Sequence, residues 1–478
     1  MKNNLKLQKT AQYCVLFLLG TIPFIFGAVH PITTGVYTAI ILLVLGSWLL
    51  INAGHYTNLR LFSAGHVVLL FFILSILLSR LLLPRQWIAT LSPVRSSFLE
   101  AAHQLAGIDI QYASLGYNSA ATILTASFLF ALFCYAATLK ILLRSDRSFL
   151  RKILFICLAV GLFEAVYGVI QAINPHLGVL WLSDIKQFRG MARGTIIYKN
   201  QYAALMNMIW PLTVGLALLQ FRTAFSSSPS NITSNRKKRG RMDDTTNRRL
   251  KGFFFLFLSS ITMLAVLFSQ SRGGIFSMIF ILFILLIFLP VHVKNKLLLL
   301  AFLIFFALSY GSIIGFASIF DRFMLLQQGG EIRFNIWLSS LPMLRDHLFV
   351  GTGIGAYIFL SPIYLKQFPE NIAFDRAHND YLELAIELGL PLALFFLCIL
   401  FCLLFLQIKK IWPYTKKELH RLTSPALVSL VSSAAIIGFI MHGIVDFGWR
   451  LPANLLYFTT LCILLEHGSH TVLLRHRK

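Results

Sequence analysis

The chain has 478 residues, 57% of them hydrophobic and only 13% charged, where a soluble domain carries about 25% charged residues. Lys and Arg number 42 against 18 Asp and Glu, a formal charge of +24. The hydrophobicity excludes a soluble globular enzyme. The basic residues sit mostly in short loops between apolar runs, so they serve topology and not nucleic-acid binding.

Runs of roughly twenty apolar residues, enough to cross a bilayer core of about 30 Å, recur along the whole length. They predict an all-α polytopic membrane protein of about twelve transmembrane helices in a single domain, residues 1–478. The expected spans are about 11–29, 36–52, 64–83, 118–141, 152–172, 201–220, 253–270, 274–292, 296–316, 381–407, 425–445 and 451–467. Lys2 to Lys9 followed by the apolar run from Ala11 resembles a signal peptide, but no small-residue cleavage site follows, so it reads as an uncleaved first helix.

Starting inside and alternating, every strongly basic short loop falls on the cytoplasmic side, and both termini are cytoplasmic. These loops include 142–152, 408–422 and the linker 221–252. The linker is rich in Ser, Asn and Arg and reads as disordered; its Asn231-Ile232-Thr233 matches a glycosylation sequon on the wrong side. The six cysteines, Cys14, Cys134, Cys157, Cys398, Cys402 and Cys462, all lie in apolar runs and suggest neither disulfides nor a zinc site. Cys398 and Cys402 share a helix face, more in keeping with packing than with a metal.

The outer side receives loops 84–117, 173–200 and 317–380, the last a large loop between spans nine and ten. Its amphipathic stretch Ile332–Leu344 predicts short helices. Arg272 lies in Ser269-Gln270-Ser271-Arg272-Gly273-Gly274, a hairpin so short that the guanidinium sits near the hydrocarbon boundary. A cation there is costly unless paired and marks function; the alternative is a turn residue that snorkels. Arg189 and Arg193, in Phe188-Arg189-Gly190-Met191-Ala192-Arg193-Gly194, and Arg333, in Glu331-Ile332-Arg333-Phe334, also run against the positive-inside bias. Converging arginines suit a pyrophosphate. His378, in Ala377-His378-Asn379-Asp380-Tyr381, stands at the start of span ten. A helix N-terminus favours neutral imidazole, making His378 either a general base or a simple helix cap. Gly351-Thr352-Gly353-Ile354-Gly355-Ala356 contains GxGxxA, but without a βαβ unit it reads as a turn that lets backbone approach closely. Glu164, Asn207 and His442 are polar residues within spans, best explained by interhelical hydrogen bonds. Asp446 either pairs with Arg450, the preferred reading, or orients a catalytic residue.

Ser271-Arg272-Gly273-Gly274, Arg333 with Trp337, Gly351 to Gly355, His378 through Gly389, and His442-Gly443-Ile444-Val445-Asp446-Phe447 together resemble the O-antigen ligase and polymerase superfamily of bacterial envelope glycosyltransferases. The resemblance covers about residues 180–460. It implies a GT-C type transferase in the bacterial inner membrane, with its active site facing the periplasm. A glycan would leave undecaprenyl pyrophosphate by inverting, metal-independent transfer, with no cofactor. Carried over, His378 and Arg272 are catalytic, Arg193 and Arg272 hold the pyrophosphate and Arg333 assists. Arg189, Asn200 and Asn379 are further expected substrate-binding residues. The partners implied are the lipid-linked glycan, lipid A core or another glycan acceptor, and membrane lipids. Ligation to lipid A core is the favoured reaction; a polymerase or a protein O-glycosyltransferase of the same superfamily is the alternative. A lipid-linked glycan transporter would need internal repeats and an essential intramembrane acid such as Glu164, and no repeat is seen.

Overall fold

The computed structural model describes residues 2–52, 62–180, 188–225, 235–298, 326–369 and 374–476, with a few isolated positions between 301 and 312. Most of the expected ninth span, the Asn231 sequon and part of the loop 317–380 lie outside the described residues. Seven helices among those described are long and apolar enough to cross a membrane. They are Pro31–Asn52, Ser119–Ser145, Phe149–Ile173, Lys199–Ala224, Asp244–Phe268, Leu390–Tyr414 and Ser424–His442, with Ala64–Leu78 and Arg272–Phe288 as shorter apolar helices. The protein is an all-α, multi-pass membrane protein.

The helix Lys199–Phe225, here α8, is the centre of the bundle: its apolar window is 100% buried, against 11% for Leu390–Ile411, here α14, which lies at the periphery. Small residues explain how α8 is enclosed. A Cβ on Gly274 would fall 2.5 Å from Ala203, and one on Gly215 would fall 3.0 Å from Val431. Polar groups on α8 are satisfied internally, as hydrocarbon requires. Asn207 Nδ2 donates to Gly274 O at 2.8 Å, and Trp210 Nε1 donates to Asn207 Oδ1 at 3.0 Å. Cys398 and Cys402 are exposed on peripheral α14, not packed inside.

Three features depart from the sequence expectation. First, the tenth span does not run on from residue 381. A short helix, α13 (Asp380–Leu388), ends at Gly389, whose φ of +81° is open to glycine, and α14 starts afresh. A Cβ on Gly389 would meet Phe349 O at 2.4 Å, so both the turn and the close approach demand this residue. The acidic segment is thereby held out of the spanning helix. Second, the linker expected to be disordered is helical from Asn235 onward, within Asn235–Phe268, where Arg248 pairs with Asp244 at 2.9 Å. Third, the loop expected at 84–117 holds a small antiparallel hairpin, Leu82–Pro84 with Tyr112–Ser114, enclosing the helices Arg85–Leu91 and Pro93–Ala106. Its strands are too short for alternation to reveal them.

Candidate active site

The loops that follow or precede the apolar helices are tied together at one end of the bundle. Ala192 N donates to Phe268 O at 2.9 Å, Gln270 Nε2 to Gly190 O at 3.1 Å and Lys199 Nζ to Gln270 O at 3.3 Å. These bonds bring the Arg193 loop to the Arg272 turn. Glu164, a buried acid of the helix Phe149–Ile173, fastens the same loop: Thr195 N and Thr195 Oγ1 donate to it at 2.8 and 2.5 Å. Its oxygens are engaged by the loop, which gives it a positioning role and no exposed proton path.

Arg272 is exposed at the first turn of Arg272–Phe288, which Ser271 caps by accepting from Gly274 N at 3.1 Å. The guanidinium and the helix N-terminus therefore offer positive potential at one place. Arg333, on the helix Leu326–Asp346, comes from far along the chain and lies close enough to Arg272 for the two charges to act on each other. Its guanidinium donates to Val445 O at 2.7 Å and to Asp446 Oδ2 at 3.2 Å. Against expectation, Asp446 does not pair with Arg450. Its second oxygen faces His378, with Nδ1 at 3.8 Å. Burial raises the Asp446 carboxyl, but His378, Arg333 and His442 around it outweigh this and hold it below the ordinary aspartate range.

His378 has a left-handed backbone, φ +52°, costly outside glycine and kept only where neighbours enforce it. The enforcement is visible on both sides. Ala377 O accepts from Trp337 Nε1 at 3.0 Å, and Ala377 N donates to Glu383 Oε2 at 3.1 Å. Asn379 is the N-cap of α13, accepting from Tyr381 N and Leu382 N at 3.0 Å. Its side-chain oxygen is thus committed to the helix and not to a substrate. The helix dipole meets Asp380, whose backbone N–H donates to Gly443 O and Asp446 O. The capped helix starts at Asp380, and His378 precedes the cap.

An aromatic wall completes the arrangement. Tyr198 stacks on Phe447 with centroids 5.0 Å apart, and His378 meets Phe447 edge-on at 5.0 Å. Phe188 packs edge-on against Tyr198, and the buried Arg193 guanidinium lies over Phe188 at 5.4 Å. Asn200 is buried and donates to Tyr198 Oη at 3.2 Å, so it holds Tyr198. Arg189 is exposed at the tip of the same loop. His442, buried, packs against Gly273, where a Cβ would stand 3.2 Å from its ring.

The structure therefore gathers His378, Arg333, Arg272 and, through Phe188 and Tyr198, Arg193. Sequence reasoning missed the roles of Tyr198 and Phe447 and misassigned Asp446. The His442 to Arg450 segment offers Asp446 one cation, Arg450, and only the chain crossing of Leu326–Asp346 supplies the one that it takes, Arg333.

Behind this open cluster lies a closed one. Glu383 accepts from Arg376 at 2.9 Å and meets Arg450 at 3.1 Å; Glu387 accepts from Gly355 N at 2.7 Å and pairs with Arg450. Gly353 N donates to Glu387 O at 2.9 Å. The GxGxxA stretch is thus a turn of left-handed glycines, in which a Cβ on Gly351 would strike Glu387 O at 2.4 Å. Among the described residues, no group of three His, Cys, Asp or Glu is arranged to hold a metal ion.

Residues 254–397 match the family model described as O-Antigen ligase. The matched segment contains Arg272, Arg333 and His378, while Arg193, Tyr198 and Asp446 come from outside it. No curated protein matches the chain.

Proposed function

Since the chain belongs to the O-antigen ligase and polymerase superfamily, we propose that it is a membrane glycosyltransferase that moves a glycan from undecaprenyl pyrophosphate to lipid A core. In this reading it has about twelve spans, both termini are cytoplasmic, and the site opens to the periplasm of the inner membrane. The observation that carries it is the meeting of His378, Asp446 and Arg333 beside Arg272 at a helix N-terminus.

The leaving group is a pyrophosphate, which departs readily once its negative charge is neutralised. Arg272 with its helix N-terminus, and Arg193, take that charge. Arg333 keeps one face toward Asp446 and assists. The acceptor hydroxyl must lose a proton as it attacks. His378 directs Nδ1 toward Asp446, leaving Nε2 to take that proton; Asp446 fixes the tautomer and steadies the imidazolium that forms. The 3.8 Å separation closes when substrate packs on the aromatic wall, as catalytic contacts often do. Tyr198 and Phe447 offer sugar-facing apolar surface. Arginines in place of a metal make the transfer metal-independent, and attack opposite the departing pyrophosphate makes it inverting.

The test is glycan transfer by purified protein with a lipid-linked oligosaccharide, lipid A core and EDTA. Wild type should transfer, and His378→Ala should fall by about 10²–10⁴-fold with unchanged thermal melting. Arg272→Ala should fall comparably. Full activity in both variants would remove the site assignment, and lengthening of the lipid-linked chain without ligation would make the protein a polymerase.

A further inference from the structure

A second cluster of cations and unsatisfied polar groups lies where the first outer loop meets the segment after Leu326–Asp346. Arg95 lies over the Tyr117 ring at 4.2 Å, and its Nε reaches only Ser114 O, at 3.4 Å. His347 meets the Tyr117 ring edge-on at 5.6 Å. It is 1% exposed, and neither ring nitrogen has a hydrogen-bond partner; Tyr117 Oη and the Nε of Arg80 are likewise buried without partners among the described residues. Arg80 belongs to the same corner, because its neighbour Ser79 accepts from Gly116 N at 2.8 Å. Among the described residues, neither Arg80 nor Arg95 pairs with a carboxylate. The nearby acid, Asp346, accepts from Tyr364 Oη at 3.0 Å.

Buried polar atoms without partners are costly, and each in a native protein calls for an explanation, of which a ligand that completes it is one. A guanidinium without a carboxylate, a tyrosine hydroxyl and an imidazole meet here beside aromatic rings. Burial, offset in part by Asp346, lowers the His347 imidazole below its ordinary range, so it meets a ligand as neutral donor and acceptor. Such a set matches a phosphate on a sugar: the Arg95 guanidinium takes the phosphate, while ring faces and neutral groups take the sugar. This place is not the His378 cluster. A small apolar core of Met343, Tyr357, Leu360, Ala377 and Ile386 has Tyr117 and Tyr364 packed on it, while Ala377 leads into His378. Tyr117 N donates to Thr352 O at 2.9 Å, and the next residue, Gly353, donates to Glu387 O, so the glycine turn bridges the two places.

We propose that Arg95, Tyr117 and His347 form a second binding site, for a phosphate-bearing sugar of the glycan acceptor. The acceptor role rests on the transferase reading above; the binding does not. A phosphorylated head group could also come from an anionic phospholipid, so the experiment separates the two.

Full-length protein in nanodiscs of zwitterionic lipid is titrated with a phosphorylated core oligosaccharide and with the same oligosaccharide after phosphatase treatment. The phosphorylated form should bind at least about tenfold more tightly, as expected for charged hydrogen bonds. Arg95→Gln and His347→Gln should remove that preference, Arg95→Lys should restore part of it, and Arg272→Ala should leave it in place. In transfer assays Arg95→Gln should raise the acceptor KM about tenfold while the donor KM stays put. Equal binding of both oligosaccharides, or a preference that survives Arg95→Gln in a variant with unchanged melting, would overturn the site. Binding abolished by including phosphatidylglycerol in the nanodisc would assign it to lipid and overturn the acceptor reading. If wild type binds with the stated preference but transfers nothing, the transferase reading fails and the binding site stands.

Discussion

Arg450 and Arg333 both reach buried carboxylates at the same end of the bundle, yet their surroundings differ. Arg450 lies between Glu383 and Glu387, whose four oxygens are all engaged by Arg450, Arg376, Ala377 N and Gly355 N. Burial alone would lower the Arg450 guanidinium, but the two glutamates outweigh it and keep the charge firmly in place. Arg333 gives one nitrogen to Asp446 and one to Val445 O, stays a quarter exposed, and stands beside an aromatic wall and a strained histidine. A buried ion network closed on every side fixes loop geometry. An open one keeps donors for a charge that arrives with the substrate.

The contrast can be broken most forcefully at the closed network. Arg450→Ala leaves Glu383 and Glu387 buried with too little compensation, and should cost about 3–5 kcal/mol. Thermal melting in detergent should show a large loss of folded protein, with activity falling only in proportion to what remains folded. A normal melting curve with lost transfer would move Arg450 into the chemistry.

A smaller effect is expected at the open cluster. Asp446→Asn keeps the shape but removes the charge that faces His378 and Arg333. Transfer should fall about 10–100-fold, the worth of a charged contact of about 1.5–3 kcal/mol. Full activity in Asp446→Asn would reduce Asp446 to an anchor for Arg333.

The smallest effect belongs to Asp380, which sits between the two clusters. Burial, with Glu383 nearby, raises its carboxyl well above the ordinary range, so the folded protein keeps a proton that the unfolded chain releases above about pH 4. Its folded pKa is the higher one, so stability falls as pH rises from about 4 toward that value. Asp380→Asn should therefore stabilise at pH 7 by roughly 1 kcal/mol, about 2–4 °C in melting. The gain should vanish as the pH is lowered toward about 4. A gain constant with pH would show that Asp380 is ionised in the folded protein.

Hydropathy made the class of protein legible, because hydrocarbon leaves a chain few options beyond apolar helices. Arginines in the loops expected on the outer side stood out for a similar reason, since each opposes a topological bias that acts on local sequence. His378, Arg272 and Arg333 were therefore found as candidates one by one. Their meeting was not legible, nor was the choice of partner at Asp446. Distances between loops separated by more than a hundred residues depend on how helices pack, and local spacing carries no record of that. The break at Gly389 was equally hidden: an apolar run reads as one span until the close approach of Phe349 O makes a left-handed glycine necessary. The sequence by itself determined that this chain lives in a membrane and where its unusual charges lie. The tertiary structure decided which charges are sealed into the scaffold and which are left open, because burial and pairing are properties of the packed bundle.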